Sequence, residues 1–182
     1  ELEKMEKTKG LRRFLENSQI YLGFQNLIGG RKVKRWLVEN IYKLQLGESV
    51  LDLGCGTGDI LNYFPKGIKY FGIDIRENYI SAARKKSNTG VFFVGDAIKF
   101  LEEKAGVIEK VNLIICNGFL HHLNDEEAKN LLGNVRNFLK NGGRCVFLEP
   151  VYLLHQRKFS KWIMSLDRGQ YIRSESEWKT LI

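Results

Sequence analysis

From Ser49 onward, short apolar runs alternate with stretches of helical spacing. The runs at 50–53, 70–75, 91–94, 111–116 and 145–148 read as strands. Between them, 78–86 has helical spacing, and 126–139 shows it most clearly, with Ala128, Leu131, Leu132, Val135, Phe138 and Leu139 on one face. Asp125 is placed to cap that helix, and Asn141, Gly142 and Gly143 to end it and turn the chain into the fifth strand. Parallel strands need long crossovers, and helices supply them. The alternation therefore predicts an α/β fold: a mostly parallel sheet with helices on both faces. In such sheets ligands sit outside the carboxyl ends of the strands, near the reversal of strand order. The informative residues are those just past each strand: 52–59, 74–76, 95–97, 117–122 and 149–150.

On either side of this core the pattern changes. Residues 1–48 read as a basic, helical N-terminal segment packing on or capping the site, 49–150 as the core, and 151–182 as a helical and incomplete C-terminal part. In the first, Trp36, Leu37, Ile41 and Leu44 form an apolar face, and Gly29 and Gly30 mark a break. Arg31 and Lys32 follow those glycines, but without the GxxxxGK[ST] order of a phosphate-binding loop. In the last, Phe159, Trp162, Ile163 and Leu166 suit an amphipathic helix, and Ser174 with Glu177 a capping box.

At 182 residues the chain suits one domain with a real core. No apolar run is long enough to span a bilayer. Cys55, Cys116 and Cys145 form no CxxC and no Cys/His metal spacing, so they read as buried thiols in a cytoplasmic protein, and no metal is expected. The formal net charge of +8 raises nucleic acid as a partner. The basic residues are scattered, however, and no RNP-like pattern, zinc finger or helix-turn-helix spacing accompanies them, which favours solvated helix faces.

The run VLDLGCGTGD at 50–59 carries the strongest chemical signal. A strand runs into a glycine-rich turn, where backbone N–H groups can approach an adenosine cofactor. The glycines Gly54, Gly56 and Gly58 follow G-x-G-x-G, one position short of the dinucleotide pattern G-x-G-x-x-G. Three acids complete the set: Asp52 before the turn, Asp74 at the end of the second strand, and Asp96 after the third. Asp74 lies about 20 residues past Gly54, the spacing at which an acid reaches ribose hydroxyls in related folds.

With VLDLGCGTG, YFGIDI, VGDA, IICNGFLHHL and GGRCVFLEP in order, the chain resembles the class I S-adenosylmethionine-dependent methyltransferases, over about residues 44–150. The resemblance implies a Rossmann-like sheet and S-adenosylmethionine as cofactor, with S-adenosylhomocysteine as product. It implies that Gly54 and Gly56 lie along the methionine and ribose, Asp52 meets the methionine amino group, and Asp74 binds the ribose hydroxyls. Ile75 would pack on adenine, Asp96 and Ala97 would contact its edge, and Asn117 would place backbone near the sulfonium. The family's sheet closes with a sixth and a seventh strand. The residues after Pro150 read as helices, so those two strands are expected to be missing.

Methyl transfer from a sulfonium is an in-line displacement that needs orientation and exclusion of water, with a base only where the acceptor must lose a proton. His122 and His121 are the candidate bases, and Glu149 is a further one. The fourth motif, CNGFLHH, departs from the NPPY-like form of amino-methylating nucleic-acid enzymes. The resemblance therefore points to a small-molecule or glycan-like acceptor. The stretch LDRGQYIRSESEW is similar to methyltransferases encoded with bacterial surface-polysaccharide genes. An RNA methyltransferase and a non-catalytic S-adenosylmethionine-binding protein are the alternative readings.

Overall fold

The computed structural model describes residues 30–103, 106–153, 155–157 and 170–182. The strands are β1 (Ser49–Leu53), β2 (Lys69–Asp74), β3 (Gly90–Val94), β4 (Val111–Asn117) and β5 (Leu139–Leu148). The helices are α1 (Gly30–Leu37), α2 (Glu77–Lys86), α3 (Ala97–Glu103), α4 (Asp125–Val135) and α5 (Glu175–Leu181). The strands form one parallel sheet in the order β3-β2-β1-β4-β5. The order reverses between β1 and β4, so the ligand crevice of a doubly wound sheet falls beyond the ends of those two strands.

Two apolar layers hold helices to the sheet. On one face Val50, Tyr70, Leu113 and Ile115 pack with Leu37, Val38 and Tyr42 from the α1 region and Ile80 and Ala83 of α2. On the other, Leu51, Leu53, Ile73 and Ile114 pack with Phe100 and Leu101 of α3, Leu131 and Val135 of α4, and Trp178 of α5. β1 is buried along its whole length, as a central parallel strand covered on both faces must be.

The structure moves several sequence-based boundaries. Asn124, not Asp125, caps α4: its side chain accepts the Glu127 N–H at 2.9 Å while the Glu127 carboxylate accepts the Asn124 N–H at 2.8 Å. Asp125 becomes the first helical residue. The helix ends at Val135 and a 3₁₀ turn, Arg136–Phe138, tucks Phe138 under the sheet. Leu139 already pairs with Val111, and Arg144 with Leu113, so β5 advances from 139 to 144 while β4 advances from 111 to 113. Asn141, Gly142 and Gly143 are thus an outward bulge inside β5 rather than a turn ahead of it.

Near the N-terminus, Gly30 is the first residue of α1, and a π-helical turn, Val38–Tyr42, follows the helix. The wider turn shifts the buried stripe to Leu37, Val38, Tyr42 and Leu44, leaving Trp36 and Ile41 exposed. Residues 1–29 and the helix expected around Phe159 and Leu166 lie outside the described residues. Ser174 and Glu177 form the expected capping box of α5. Among the described residues, no helix is long and apolar enough to cross a membrane.

Candidate functional site

The turn after β1 is folded back onto the end of β2. The N–H groups of Gly54 and Cys55 both donate to the Ile73 carbonyl at 2.9 Å. Gly54 (φ 73°) and Gly56 (φ 55°) lie in the left-handed region that side chains disfavour. They differ in their surroundings. A Cβ on Gly54 would lie 2.8 Å from the Phe119 ring, whereas one on Gly56 would meet only Tyr79, at 4.0 Å. Gly54 is therefore held by packing, and Gly56 is the place where the backbone stays approachable.

Asp74 closes this turn from the end of β2. One carboxylate oxygen accepts the Gly56 N–H at 2.9 Å and the other the Arg76 N–H at 2.9 Å. A carboxylate has about four lone-pair sites, so each oxygen keeps one for a ligand. Next to it Ile75 is 66% exposed, an apolar surface with room for a flat partner. Asp96 caps α3, taking the Ile98 N–H at 2.8 Å and the Lys99 N–H at 3.1 Å on one oxygen, which leaves the other open. Ala97 starts that helix and is buried.

Asp52 sits deeper. It pairs with Gly72 of β2 and Ile115 of β4, is 3% exposed, and accepts the Tyr70 hydroxyl proton at 2.6 Å. Burial pushes its carboxyl up to about 7; the Tyr70 bond opposes the shift, the Asp74 charge adds to it, and the Lys34 charge opposes it. Lys34 reaches this region from α1, and burial pulls its ammonium below the usual lysine value. Asn117, at the end of β4, accepts the Tyr42 hydroxyl proton at 2.8 Å. The guanidinium of Arg144 donates to the Tyr42 carbonyl, fixing the π-helical turn to β5.

The segment after β4 is built around Glu149. One oxygen accepts the Phe119 N–H at 3.0 Å and the Leu120 N–H at 2.8 Å; the other accepts the His121 N–H at 3.2 Å and lies 2.6 Å from His121 Nδ1. The His121 and Glu149 side chains are 3% and 5% exposed. His121 is thus a buried partner of Glu149, while His122, with its ring 4.3 Å from that of His121, is exposed at the rim. Arg173 braces the same segment from the C-terminal side. Its guanidinium donates to the Leu120 and Leu123 carbonyls at 3.3 and 2.8 Å and to the Asp125 carboxylate at 2.7 Å.

Past the carboxyl ends of the strands, Asp74 clasps Gly56 and precedes the exposed Ile75, and its charge acts on Asp52. Gly54 follows β1, Asp96 and Ala97 follow β3, and Asn117 ends β4; His122 is exposed and His121 buried. Sequence reasoning missed Tyr42, Tyr70, Lys34 and Arg173. The two tyrosines lie among apolar residues and read as plain core. The one available signal was Gly72, a glycine in mid-strand, where a side chain is wanted for packing.

Residues 51–145 match the family model described as a methyltransferase domain. The chain belongs to that family. An uncharacterized methyltransferase of Bacillus pumilus is 31% identical to this methyltransferase domain over 119 residues, covering 63% of the chain and 54% of the relative. The chain spans about half the length of the curated relatives it matches. Among solved structures, the plantazolicin methyltransferase BpumL, crystallised with a desmethylPZN analog and SAH (S-adenosylhomocysteine), aligns with a TM-score of 0.62 at 18% identity, over 98% of this chain and 76% of that one. The magnesium protoporphyrin IX methyltransferase ChlM of Synechocystis PCC 6803, with bound SAH, aligns at 0.60 with 24% identity, over 88% and 71%. At these identities the structural likeness establishes a shared Rossmann-like fold, in accord with the observed sheet.

Proposed function

We propose that this methyltransferase domain binds S-adenosylmethionine beyond the carboxyl ends of β1, β2 and β4 and directs its methyl group to a small-molecule or glycan-like acceptor. The observation that carries the reading is the unspent capacity of Asp74. It holds Gly56 with one lone pair of an oxygen and keeps another, beside approachable backbone and the exposed Ile75. A ribose diol and an adenine ring ask for that pairing of a free carboxylate with an apolar shelf.

In this reading Asp74 takes the ribose hydroxyls, Ile75 packs on the base, and Asp96 and Ala97 lie at its edge. Gly54 and Gly56 border the ribose and methionine, Asp52 faces the ammonium, and Asn117 stands near the sulfonium. When bound, S-adenosylmethionine supplies an electrophilic methyl, so the chain's task is to orient the two reactants and exclude water. Where the acceptor must lose a proton, His122 is the base, because it is exposed at the rim. His121 is tied to Glu149. The small-molecule acceptor is supported by the plantazolicin and protoporphyrin enzymes among its structural neighbours. The three free cysteines agree with a reducing cytoplasm.

Calorimetry with S-adenosylmethionine and S-adenosylhomocysteine, followed by transfer of labelled methyl into a cell extract, tests the reading. Binding of both with label in a small molecule or glycan supports it. Label in RNA, with affinity for RNA falling steeply with salt, redirects the acceptor class. Binding without transfer to any fraction leaves a non-catalytic binder.

A further inference from the structure

Beneath the crevice, on the α1 and α2 face of the sheet, Tyr42, Phe64, Tyr70 and Phe92 form a row of rings with centroids 6.1, 6.2 and 5.6 Å apart. Both phenols of this row are buried, Tyr42 at 0% and Tyr70 at 1% exposure. Neither hydroxyl is spent on the backbone. Each donates to a polar side chain at the carboxyl edge: Tyr70 to Asp52 at 2.6 Å and Tyr42 to Asn117 at 2.8 Å.

Gly72 makes the first of these bonds geometrically available. Tyr70 and Asp52 are on neighbouring strands but not directly opposed: Val50 pairs with Tyr70, and Asp52 with Gly72. The Tyr70 ring must lie along its own strand, over residue 72, to bring its hydroxyl level with Asp52. A Cβ at position 72 would come within 2.9 Å of Tyr70 Cε1 and 2.9 Å of Cys55 Sγ. The missing side chain is the slot in which the ring lies.

We infer that Tyr70 and Tyr42 are positioning residues of the donor site, each fixing from below the side chain that meets the methionine end of the donor. This deepens the donor-site reading above and rests on it. With the Tyr70 bond on one oxygen, the Asp52 carboxylate is held in one position and keeps its remaining lone pairs for a ligand. With its carbonyl oxygen taken by Tyr42, the Asn117 amide keeps its NH₂ for the crevice. The Tyr42 bond also ties the π-helical turn that follows α1 to the end of β4, across 75 positions of sequence.

The Tyr70 bond has an electrostatic consequence that a purely structural tyrosine lacks. It favours the charged form of Asp52, the form able to pair with an ammonium. Asp52 is also faced by Lys34 from α1, by Asp74 at the end of β2, by Tyr42 from the π-helical turn, and by the thiols of Cys55 and Cys116. These groups stay in place when Tyr70 loses only its hydroxyl.

The test is calorimetric titration with S-adenosylhomocysteine between pH 6 and pH 8.5, on the wild type, Tyr70→Phe, Tyr42→Phe, Asp52→Asn and the Tyr70→Phe/Asp52→Asn double variant, with thermal melts of each. Both Phe variants keep the ring row. For Tyr70→Phe we expect affinity about 5- to 30-fold weaker near pH 7.5, with the rise of affinity with pH moved to higher pH. In the Asp52→Asn background the same change is expected to cost less than about 2-fold, because the group it acts through is gone. Tyr42→Phe should weaken binding about 3- to 10-fold with the pH dependence unmoved. Unchanged affinity and pH dependence in Tyr70→Phe overturn the inference, as does a penalty that persists in the double variant. Absence of binding to the wild type at every pH overturns the donor-site reading itself, and this inference with it.

Discussion

Two places along the carboxyl edge, at β2 and at β5, use the same kind of group in opposite ways. At the end of β2, the Asp74 carboxylate accepts two backbone N–H groups, one per oxygen, and keeps about half of its capacity open toward the crevice. At the end of β5, the Glu149 carboxylate takes three backbone N–H groups and His121 Nδ1, two partners per oxygen, and has no capacity left. The first keeps acceptor capacity for a ligand, as the proposed donor site requires. The second holds the shape of the segment that carries His122. Position past a strand does not separate the two roles; the count of lone pairs already spent does.

The largest effect should come from removing the saturated carboxylate. Glu149→Ala leaves three backbone donors and a buried histidine without their partner, and should lower stability by about 3–5 kcal/mol in urea denaturation. A loss under about 1 kcal/mol would mean that the segment is held elsewhere, with Arg173 the foremost candidate through its bonds to Leu120 and Leu123.

Asp52 gives the next effect, and its sign is opposite to that of an ordinary surface ion pair. Burial raises its carboxyl from 3.8 to about 7. A group whose folded value lies above its unfolded value favours the fold while protonated. That contribution is fully present below about pH 4 and is lost as pH rises toward 7. The difference corresponds to about 2–4 kcal/mol. The contribution of Asp52 to wild-type stability should therefore fall between pH 4 and pH 7, and Asp52→Asn, which stays neutral, should flatten the fall. An identical pH dependence in the two proteins would show that Asp52 is ionised throughout, paired more strongly with Lys34 than its burial allows.

The open carboxylate is expected to matter to binding more than to folding. Asp74→Ala removes the proposed ribose acceptor and unclasps Gly56, and should weaken S-adenosylhomocysteine affinity by about 10- to 100-fold, near 1.4–2.7 kcal/mol. Unchanged affinity by calorimetry would remove Asp74 from the donor site and make it a clasp of the turn alone, erasing the contrast with Glu149.

The sequence made the sheet legible because each strand is a short apolar run between helical stretches, and a parallel sheet follows from that alternation. The acids at the strand ends were legible for the same reason: an ionisable group beside an apolar run is conspicuous. The partners of those acids were not. Tyr70 and Tyr42 lie in apolar surroundings, and only the fold shows that their hydroxyls reach Asp52 and Asn117. Boundaries around 135–144 shifted because packing of Phe138 and pairing of Leu139 overrode the glycines. The pairing of Glu149 with His121 joins positions 28 apart and has no local signature.

The adjacent histidines put the contrast between saturated and open groups to its finest test. His121 shares the burial of Glu149, and His122, one residue on, is exposed. His122→Ala should change stability by no more than about 0.5 kcal/mol, as surface substitutions do, whereas His121→Ala should cost about 1–3 kcal/mol, because the buried Glu149 oxygen loses its bond to Nδ1 and keeps only the backbone N–H. Activity should divide the other way. With an acceptor that loses its proton during transfer, His122→Ala should lower kcat and abolish the acidic limb of the pH–rate profile, while His121→Ala, to the extent that it folds, keeps that limb. A profile that loses its limb in His121→Ala alone would place the proton on the buried ring, and the pair with Glu149 would then be part of the reaction rather than its scaffold.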